Sequence, residues 1–336
     1  MPRPTRVFLT GGTGLIGSHV AEQLRRRGDD VVALVRPTSD TTHLSATGCA
    51  LVVGDVLDDV DAQAERMRGC DAVVHAAARV FLGGSRPTFL KENVDGTEHV
   101  LRAAALAAPR VIHLSSVAVY AGLPMDRPLT EERWTEADPE RQNAYAASKH
   151  LSERAAWQLH DAGAIRLTTV RPSVVYGERD RAATPIMVRY ATLPVVPLLA
   201  GGRLRLPLVY AGNVAAGVIA ALDRPRAIGR AYNLALDEPA RARDLVPWIG
   251  EELGRRRLAV TIPAALPRAA AAALEALGRV VPGAGRGGLR RAIRSLVIEN
   301  PYDSSRARLE LGWTGHVPHR EGIRRTMAWW RSAGAG

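Results

Sequence analysis

Val7-Phe8-Leu9-Thr10-Gly11-Gly12-Thr13-Gly14-Leu15-Ile16-Gly17 is the stretch on which the reading of this chain turns. Val7-Phe8-Leu9 is a short apolar run that reads as a buried strand, and it passes directly into a glycine turn. Ser18-His19-Val20-Ala21-Glu22-Gln23-Leu24 continues with helical character as far as Gly28, a suitable C-cap. Strand, glycine turn and helix in that order form a dinucleotide-binding unit rather than an isolated turn. Gly11 permits the tight bend, Gly14 lets the backbone approach a pyrophosphate, and Gly17 lets the helix pack close to the strand. The helix N-terminus then faces the phosphates with free N–H groups and a partial positive charge.

The next strand, Asp30-Val31-Val32-Ala33-Leu34-Val35, ends in Arg36-Pro37-Thr38-Ser39. An NAD-selective site usually places an acid about 20 residues beyond the glycines to hold the adenosine ribose. Here the charge is reversed. Arg36 suits a 2′-phosphate, with Thr38 and Ser39 as further donors, so NADP(H) is favoured and NAD(H) is the alternative.

Only two of the 45 basic residues are lysines, Lys91 and Lys149, and Lys149 follows Tyr145 by four places in Tyr145-Ala146-Ala147-Ser148-Lys149. An ammonium is a compact charge on a flexible stem, and a guanidinium is no substitute for it. On a helix, positions i and i+4 share a face, which brings phenol and ammonium into the same space. A neighbouring cation favours phenolate and is expected to pull the tyrosine below its usual value of about 10, towards the range of an acid–base catalyst.

Apolar strand candidates at 6–10, 30–36, 50–54, 71–76, 110–115 and 165–171 alternate with helical stretches near 14–27, 58–68, 88–107, 144–162 and 242–253. Such alternation implies an α/β fold, a Rossmann-type doubly wound parallel sheet covered on both faces. The pattern changes after Tyr176-Gly177, where Pro185, Pro194, Pro197, Gly201 and Gly202 interrupt short apolar runs. The expected division is an NADP(H)-binding domain over 1–175 and a smaller, mostly helical substrate-binding region over 176–207 and 237–331. Segments 209–221 and 231–234 are expected to return to the core sheet.

A chain of 336 residues can bury a large core. Without a signal-like N-terminus or an uninterrupted apolar run of about 18 residues, it is expected to be cytoplasmic, with no membrane span. Cys49 and Cys70 have neither metal-ligand spacing nor the number for a disulfide framework, so no metal site is expected and both thiols should be reduced and buried. The formal charge is +11, and residues 251–336 carry 15 basic against seven acidic side chains. That surplus reads as solvated arginine ahead of a face for something anionic, such as a carrier-bound acyl group, a nucleotide or an acidic membrane surface, and no nucleic-acid partner is expected because no helix-turn-helix, zinc pattern or basic-aromatic signature accompanies it.

Taken together, these stretches resemble an extended short-chain dehydrogenase/reductase of the NAD-dependent epimerase/dehydratase type, over nearly the whole chain. The motif from Thr10 to Gly17 is similar to the family's cofactor turn, which implies contacts at Gly11, Thr13, Gly14, Leu15, Ile16 and Gly17. Gly54-Asp55-Val56 resembles its adenine contact, and His75-Ala76-Ala77-Ala78 the strand end beside the cofactor. Arg171-Pro172-Ser173-Val174-Val175-Tyr176-Gly177 resembles the segment under the nicotinamide, implying contacts at Pro172, Val174 and Val175. Leu114-Ser115-Ser116-Val117-Ala118-Val119-Tyr120 fits the strand that supplies the family's serine, and Asn93-Val94-Asp95-Gly96-Thr97 fits the helix with its asparagine.

The resemblance implies roles for these residues. Tyr145 exchanges a proton with the substrate oxygen, and Lys149 lowers its pKa and binds the nicotinamide ribose. Ser116 hydrogen-bonds the substrate oxygen, whereas Ser115 supports the strand. Asn93 fixes its helix or holds a relay water, the structural role taking the larger share. A homodimer is also implied.

Departures from the pattern narrow the reaction. Dehydratases of the family place an Asp-Glu pair after the serine or threonine, since elimination needs its own acid and base; here Val117 and Ala118 stand there. Sugar-nucleotide members clamp the diphosphate with an arginine before a Tyr/His-Val-x-Asp segment and with an Arg-x-Gly-Asp stretch further on; here Leu206 stands at the arginine position, Asn213 at the aspartate, and no Arg-x-Gly-Asp follows, although Arg205, Arg290, Arg291 or Arg294 are candidate substitutes. Val-Tyr-x-Gly-Asn-Val at 209–214 and the Ala/Leu-rich insert at 262–281 resemble the 3β-hydroxysteroid dehydrogenase branch. In that insert Leu266, Ala270, Ala273, Leu277 and Val281 recur at helical spacing, which reads as core packing ahead of a lid or a peripheral membrane contact. The expected activity is an NADP(H)-dependent ketone/alcohol oxidoreductase for a large hydrophobic small molecule, terpenoid, steroid-like or polyketide-like. A nucleotide-sugar epimerase or reductase is the alternative, and a non-catalytic dinucleotide-binding regulator a third reading.

Overall fold

Val7 and Leu9 point to one side of a central sheet and Phe8 to the other, and all three are fully buried. A strand buried on both faces is what an uninterrupted apolar run demands. In the computed structural model, which describes residues 5–80, 83–235, 238–255, 258–263 and 300–333, this strand is an interior one, third from one edge of a seven-stranded sheet.

The sheet strands are β1 (Arg6–Thr10), β2 (Asp30–Val35), β3 (Ala50–Val53), β4 (Ala72–His75), β5 (Arg110–Leu114), β6 (Arg166–Pro172) and β7 (Arg230–Leu234). Their order is β3-β2-β1-β4-β5-β6-β7, and every neighbouring pair is parallel. The order reverses between β1 and β4. A doubly wound sheet opens a crevice at the carboxyl ends of its strands where this happens, and the glycine turn after Thr10 lies at that point.

Parallel strands need crossovers, and helices supply them. Helix α1 (Leu15–Arg27) packs on the Val7/Leu9 face. Helices α2 (Val60–Met67), α3 (Gly96–Ala107) and α4 (Ala144–Asp161) cover the Phe8 face. Helix α5 (Ala211–Asp223) joins α1. α1 stops at Gly28, whose φ of 95° lets its N–H reach the Arg25 and Leu24 carbonyls, and Arg25, Arg26 and Arg27 complement the negative helix end.

A second apolar cluster joins Tyr176, Val196, Leu208, Tyr210, Leu245, Ile249, Ile323 and Met327. It lies under α6 (Ala242–Glu252) and α8 (His319–Ser332); α7 (Ser305–Leu311) joins the main core beside the fully buried Trp313. Burying each such large side chain contributes about 1.5–3 kcal/mol. Short ladders pair Val174–Tyr176 with Leu208–Tyr210, Arg205–Leu206 with Ala240–Arg241, and Val195–Leu199 with Leu258–Ile262.

The expected return of 209–221 to the core sheet is therefore corrected. Segment 208–210 pairs outside the main sheet, and 211–223 is the helix α5, because its apolar residues follow helical spacing and meet α1. Segment 231–234 does join the sheet, as part of β7. Cys49 and Cys70 are free and buried. Most of the 262–281 insert, with Arg290, Arg291 and Arg294, lies outside the described residues. Among those that are described, no helix is long and apolar enough to cross a membrane, and no cluster has the side chains to hold a metal ion.

Candidate active site

The glycine turn is shaped by two contacts that no side chain would tolerate. Gly11 has a φ of +71°, and a Cβ there would sit 2.5 Å from the Ala77 nitrogen and 2.6 Å from the Ala76 carbonyl carbon. At Gly17 a Cβ would fall 2.1 Å from the Gly11 carbonyl oxygen. The turn is thus pressed against the end of β4 and against its own helix. Gly14 caps α1 with no side-chain hydrogen bond, so no side chain occupies the amide groups at the helix entrance. Thr13 and Gly14 are exposed at the mouth, and Leu15 and Ile16 are half-buried behind them. This open helix end, beside a turn packed too closely for a Cβ at Gly11 or Gly17, fits a dinucleotide pyrophosphate.

Thr10 and His75 hold the two strand ends together. Thr10 Oγ1 is 2.8 Å from His75 Nδ1 and accepts a hydrogen bond from the Ala77 N–H at 3.2 Å. His75 Nε2 meets Thr97 Oγ1 at 2.9 Å. Burial, with the Lys149 charge adding to it, pushes His75 down to about 3, so the ring is neutral at ordinary pH.

Towards the other edge of the sheet, Arg36 ends β2 on an exposed turn, closed by Ser39 N–H to the Arg36 carbonyl at 2.9 Å and Arg36 N–H to Ser39 Oγ at 3.2 Å. The nearest following acid, Asp40, accepts from the Thr42 N–H at 3.1 Å and lies 3.6 Å from Arg181. Asp55 Oδ1 accepts from Leu57 N–H at 3.0 Å, and Val56 rests on Gly96, where a Cβ would meet it at 2.8 Å. Pro172 ends β6; beyond it Val174 is exposed and Val175 half-buried against the core.

Ser116, Tyr145 and Lys149 converge at the carboxyl end of β5. Ser116 caps the tight turn Val117–Tyr120, its Oγ accepting from Ala118 N–H at 3.1 Å. Asn143 caps α4 by accepting from Ala146 N–H at 3.0 Å, which sets Tyr145 in the first helical turn. The Tyr145 phenol lies beside the Ser116 hydroxyl, and the Phe89 ring stands edge-on to it at 6.3 Å. Lys149 is buried, with Nζ donating to the Leu114 carbonyl at 2.6 Å. Burial lowers its pKa to about 8, against the opposing charge of Glu153.

One expectation is overturned here. Tyr145 lies above its ordinary pKa rather than below it, because burial raises it and only the Ser116 hydrogen bond pulls the other way. The ammonium of Lys149 is turned to the β5 carbonyl instead.

Asn93 sits in a π-helical turn, Lys91–Asp95, between Arg86–Leu90 and α3. Its Oδ1 accepts from Arg79 N–H at 2.7 Å, while Nδ2 donates to the Arg79 carbonyl at 3.1 Å and to Ser148 Oγ at 2.8 Å. Asn93 thereby ties a loop to the helix that carries Tyr145 and Lys149.

Two residues near this site were not singled out from the sequence. Arg171, fully buried, grips the equally buried Glu153, with Nε 3.0 Å from Oε2 and Nη2 2.5 Å from Oε1. Arg171 Nη1 donates to Tyr120 Oη and to the Glu131 carbonyl, each at 2.7 Å, and Tyr120 donates to Asn233 Oδ1 at 2.8 Å. The available signal was spacing: Glu153 is one turn beyond Lys149 on the same helix face.

The positions of the sugar-diphosphate clamp are otherwise engaged. Asn213 Nδ2 donates to the Val317 carbonyl at 2.9 Å, and its Oδ1 accepts from Val317 N–H at 3.1 Å. Leu206 pairs with Ala240 in a two-residue ladder. Val117 is buried and Ala118 half-buried beside Ser116.

Comparison with known proteins agrees with this geometry. Residues 7–235 match the model of the NAD dependent epimerase/dehydratase family. A 4-hydroxy-2-methyl-3-oxo-4-farnesyl-3,4-dihydroquinoline-1-oxide ketoreductase of Stigmatella aurantiaca is 33% identical over 95% of this chain and 94% of its own. A 2-alkyl-3-oxoalkanoate reductase of Shewanella oneidensis is 25% identical over 96% of this chain and 86% of its own. The crystal structure of gox2253 superposes with a TM-score of 0.79 at 28% identity, covering 98% of both chains. The chain belongs to the NAD dependent epimerase/dehydratase family, within the extended short-chain dehydrogenases/reductases. It is an enzyme of the NAD(P)-dependent oxidoreductase kind.

Proposed function

We propose that this enzyme is an NADP(H)-dependent ketoreductase that interconverts a ketone and a secondary alcohol on a large hydrophobic substrate. The observation that carries the reading is the convergence of Ser116, Tyr145 and Lys149 at the end of β5, with Val117 and Ala118 where an eliminating enzyme needs an acid and a base. The glycine turn from Gly11 to Gly17 would hold a nicotinamide dinucleotide, which when bound would supply the hydride for the carbonyl carbon. Ser116 orients the carbonyl oxygen, and Tyr145, protonated at ordinary pH because burial raises it, delivers the proton to that oxygen. Lys149 keeps a positive charge at the cofactor end of the same helix face.

Both named relatives are reductases of ketones, one carrying a farnesyl group and the other an alkyl chain, and they support the substrate class. Arg36, exposed at the end of β2 with the nearby Asp40 engaged elsewhere, supports the preference for the 2′-phosphorylated cofactor. The test is a substrate panel followed by NADPH absorbance: long-chain and prenylated ketones are expected to be reduced, and nucleotide sugars not to be turned over. Turnover confined to nucleotide sugars would overturn the reading.

A further inference from the structure

Among the described residues, Arg179 and Ala200 are the two that carry a side chain at a positive φ, 70° and 51°. There the Cβ of an L-residue crowds the following carbonyl, whereas glycine enters freely. A side chain kept at such a place is held by its surroundings. For Arg179 the holders are on α1: its Nε donates to Ser18 Oγ at 2.8 Å, and its Nη2 to Glu22 Oε2 at 3.0 Å. Ser18 and Glu22 stand one turn apart on one face of that helix, so a planar guanidinium fork meets both at once. Ser18 carries the connection further, its Oγ donating to the Leu15 carbonyl and its N–H to the Gly14 carbonyl, each at 2.9 Å. Arg179 is thereby tied to the first turn of the helix whose entrance fits the pyrophosphate.

The segment around Arg179 is fixed on two further sides. Behind it, Val174–Tyr176 pairs with Leu208–Tyr210, and Tyr210 Oη donates to Glu178 Oε2 at 2.8 Å. The Glu178 carbonyl lies 3.3 Å from His19 Nε2 on α1. Ahead of it, the buried Asp180 receives the amides that open the helix Ala183–Ala191: Oδ1 accepts from Ala182 and Ala183 N–H at 2.8 and 3.1 Å, and Oδ2 from Thr184 N–H and Oγ1 at 2.6 and 2.8 Å. That helix packs Met187, Val188, Tyr190 and Ala191 on the second apolar cluster. A single turn, Gly177–Asp180, thus joins the cofactor helix, the strand end expected under the nicotinamide and the first helix beyond it.

We propose that Arg179 is a positioning residue: by gripping Ser18 and Glu22 it fixes this turn, and the helix Ala183–Ala191 that leads from it, on α1, and so holds the substrate-side wall at a set distance from the cofactor. It touches neither substrate nor cofactor. The proposal rests on the reading of this crevice as a ketone-reducing site, and the test separates the two.

Two full-length variants break the grip from opposite sides, so the test does not depend on one of them folding. Arg179→Asn keeps a residue that tolerates the left-handed region but is too short to reach α1. Ser18→Ala/Glu22→Ala removes both acceptors and leaves Arg179 in place, at a site already partly in solvent. Without ligand, amide hydrogen exchange over residues 178–191 is expected to quicken about tenfold in both variants, with β1, β4 and β5 unchanged. In NADPH-linked reduction of a prenylated or long-chain ketone, the ketone KM is expected to rise about tenfold in both, while kcat and NADPH affinity stay within about threefold of wild type. Arg179→Lys, whose ammonium lacks the fork's two separate donors, is expected to fall between.

A tie that only stabilises the fold would lower the melting temperature and leave the ketone KM where it was. An unchanged KM in either folded variant, or unchanged exchange over 178–191, overturns the proposal. If exchange quickens while the wild type itself reduces no ketone, the grip on the helix stands and the ketone reading is what fails.

Discussion

Lys149 Nζ donates to the Leu114 carbonyl oxygen, at 2.6 Å, within the buried layer between α4 and the carboxyl end of β5. The strand that presents Ser116 and the helix that presents Tyr145 are joined by this bond. Its cost is an ammonium out of water, which burial moves down to about 8.

The sign of that cost is testable. The folded chain releases the Lys149 proton near pH 8, whereas the unfolded chain keeps it to about 10.5, the ordinary value. Between those values the unfolded state binds more protons, so this group's contribution to stability rises with pH. Denaturant unfolding of wild type and Lys149→Met is expected to show wild type gaining on the variant from pH 7 to pH 10. A constant difference across that range would refute the buried-ammonium account.

Replacing Gly17 with alanine sets a Cβ 2.1 Å from the Gly11 carbonyl oxygen. Backbone is met there, not a flexible side chain, so α1 must shift away from the turn. A loss of about 1–3 kcal/mol or more is expected, together with weaker dinucleotide binding. Thermal unfolding and calorimetry would read both, and a variant unchanged in either respect would show that the turn is looser than described.

The proposed part of Arg36 in cofactor choice is testable. If Arg36 holds the 2′-phosphate as proposed, Arg36→Asp exchanges a charge-assisted contact for repulsion and is expected to weaken NADP(H) by about 2–4 kcal/mol while sparing NAD(H). Titrating both cofactors into both proteins decides the matter: equal affinities in the wild type would remove Arg36 from the 2′-phosphate.

How much of this was legible beforehand depended on the range of the interaction. The turn from Gly11 to Gly17 and the alternating apolar runs carry their meaning locally, because strand burial and helix entry are set by neighbours in sequence. Tyr145 and Lys149 were legible for the same reason, as a one-turn pair. What stayed hidden was the direction of the Lys149 ammonium and the grip of Arg171 on Glu153, which joins β6 to α4 across 18 positions. Arg110 was equally hidden: it is buried, lowered to about 10 by that burial, and donates to Thr168 Oγ1 at 2.9 Å and the Ala221 carbonyl at 2.7 Å. Charged residues at such places read from sequence as surface, since only the tertiary fold supplies their partners.

Asn213 and Leu206 make a prediction about phosphates. With Asn213 engaged in both directions by Val317, no paired ionic clamp for a diphosphate is described at these positions. UDP, dTDP and GDP are expected to bind weakly when titrated in the presence of NADP(H), whereas a hydrophobic ketone should bind with little dependence on salt. A tight, salt-sensitive complex with any of the three nucleotides would favour the nucleotide-sugar alternative.

The decisive assay follows NADPH absorbance with a prenylated or long-chain ketone, comparing wild type with Tyr145→Phe. The substitution removes the proposed proton donor beside Ser116 and leaves the glycine turn untouched. Turnover is expected to fall by about 10²–10⁴ while NADPH affinity stays within about threefold. Undiminished reduction of that ketone by Tyr145→Phe would contradict the account at its centre.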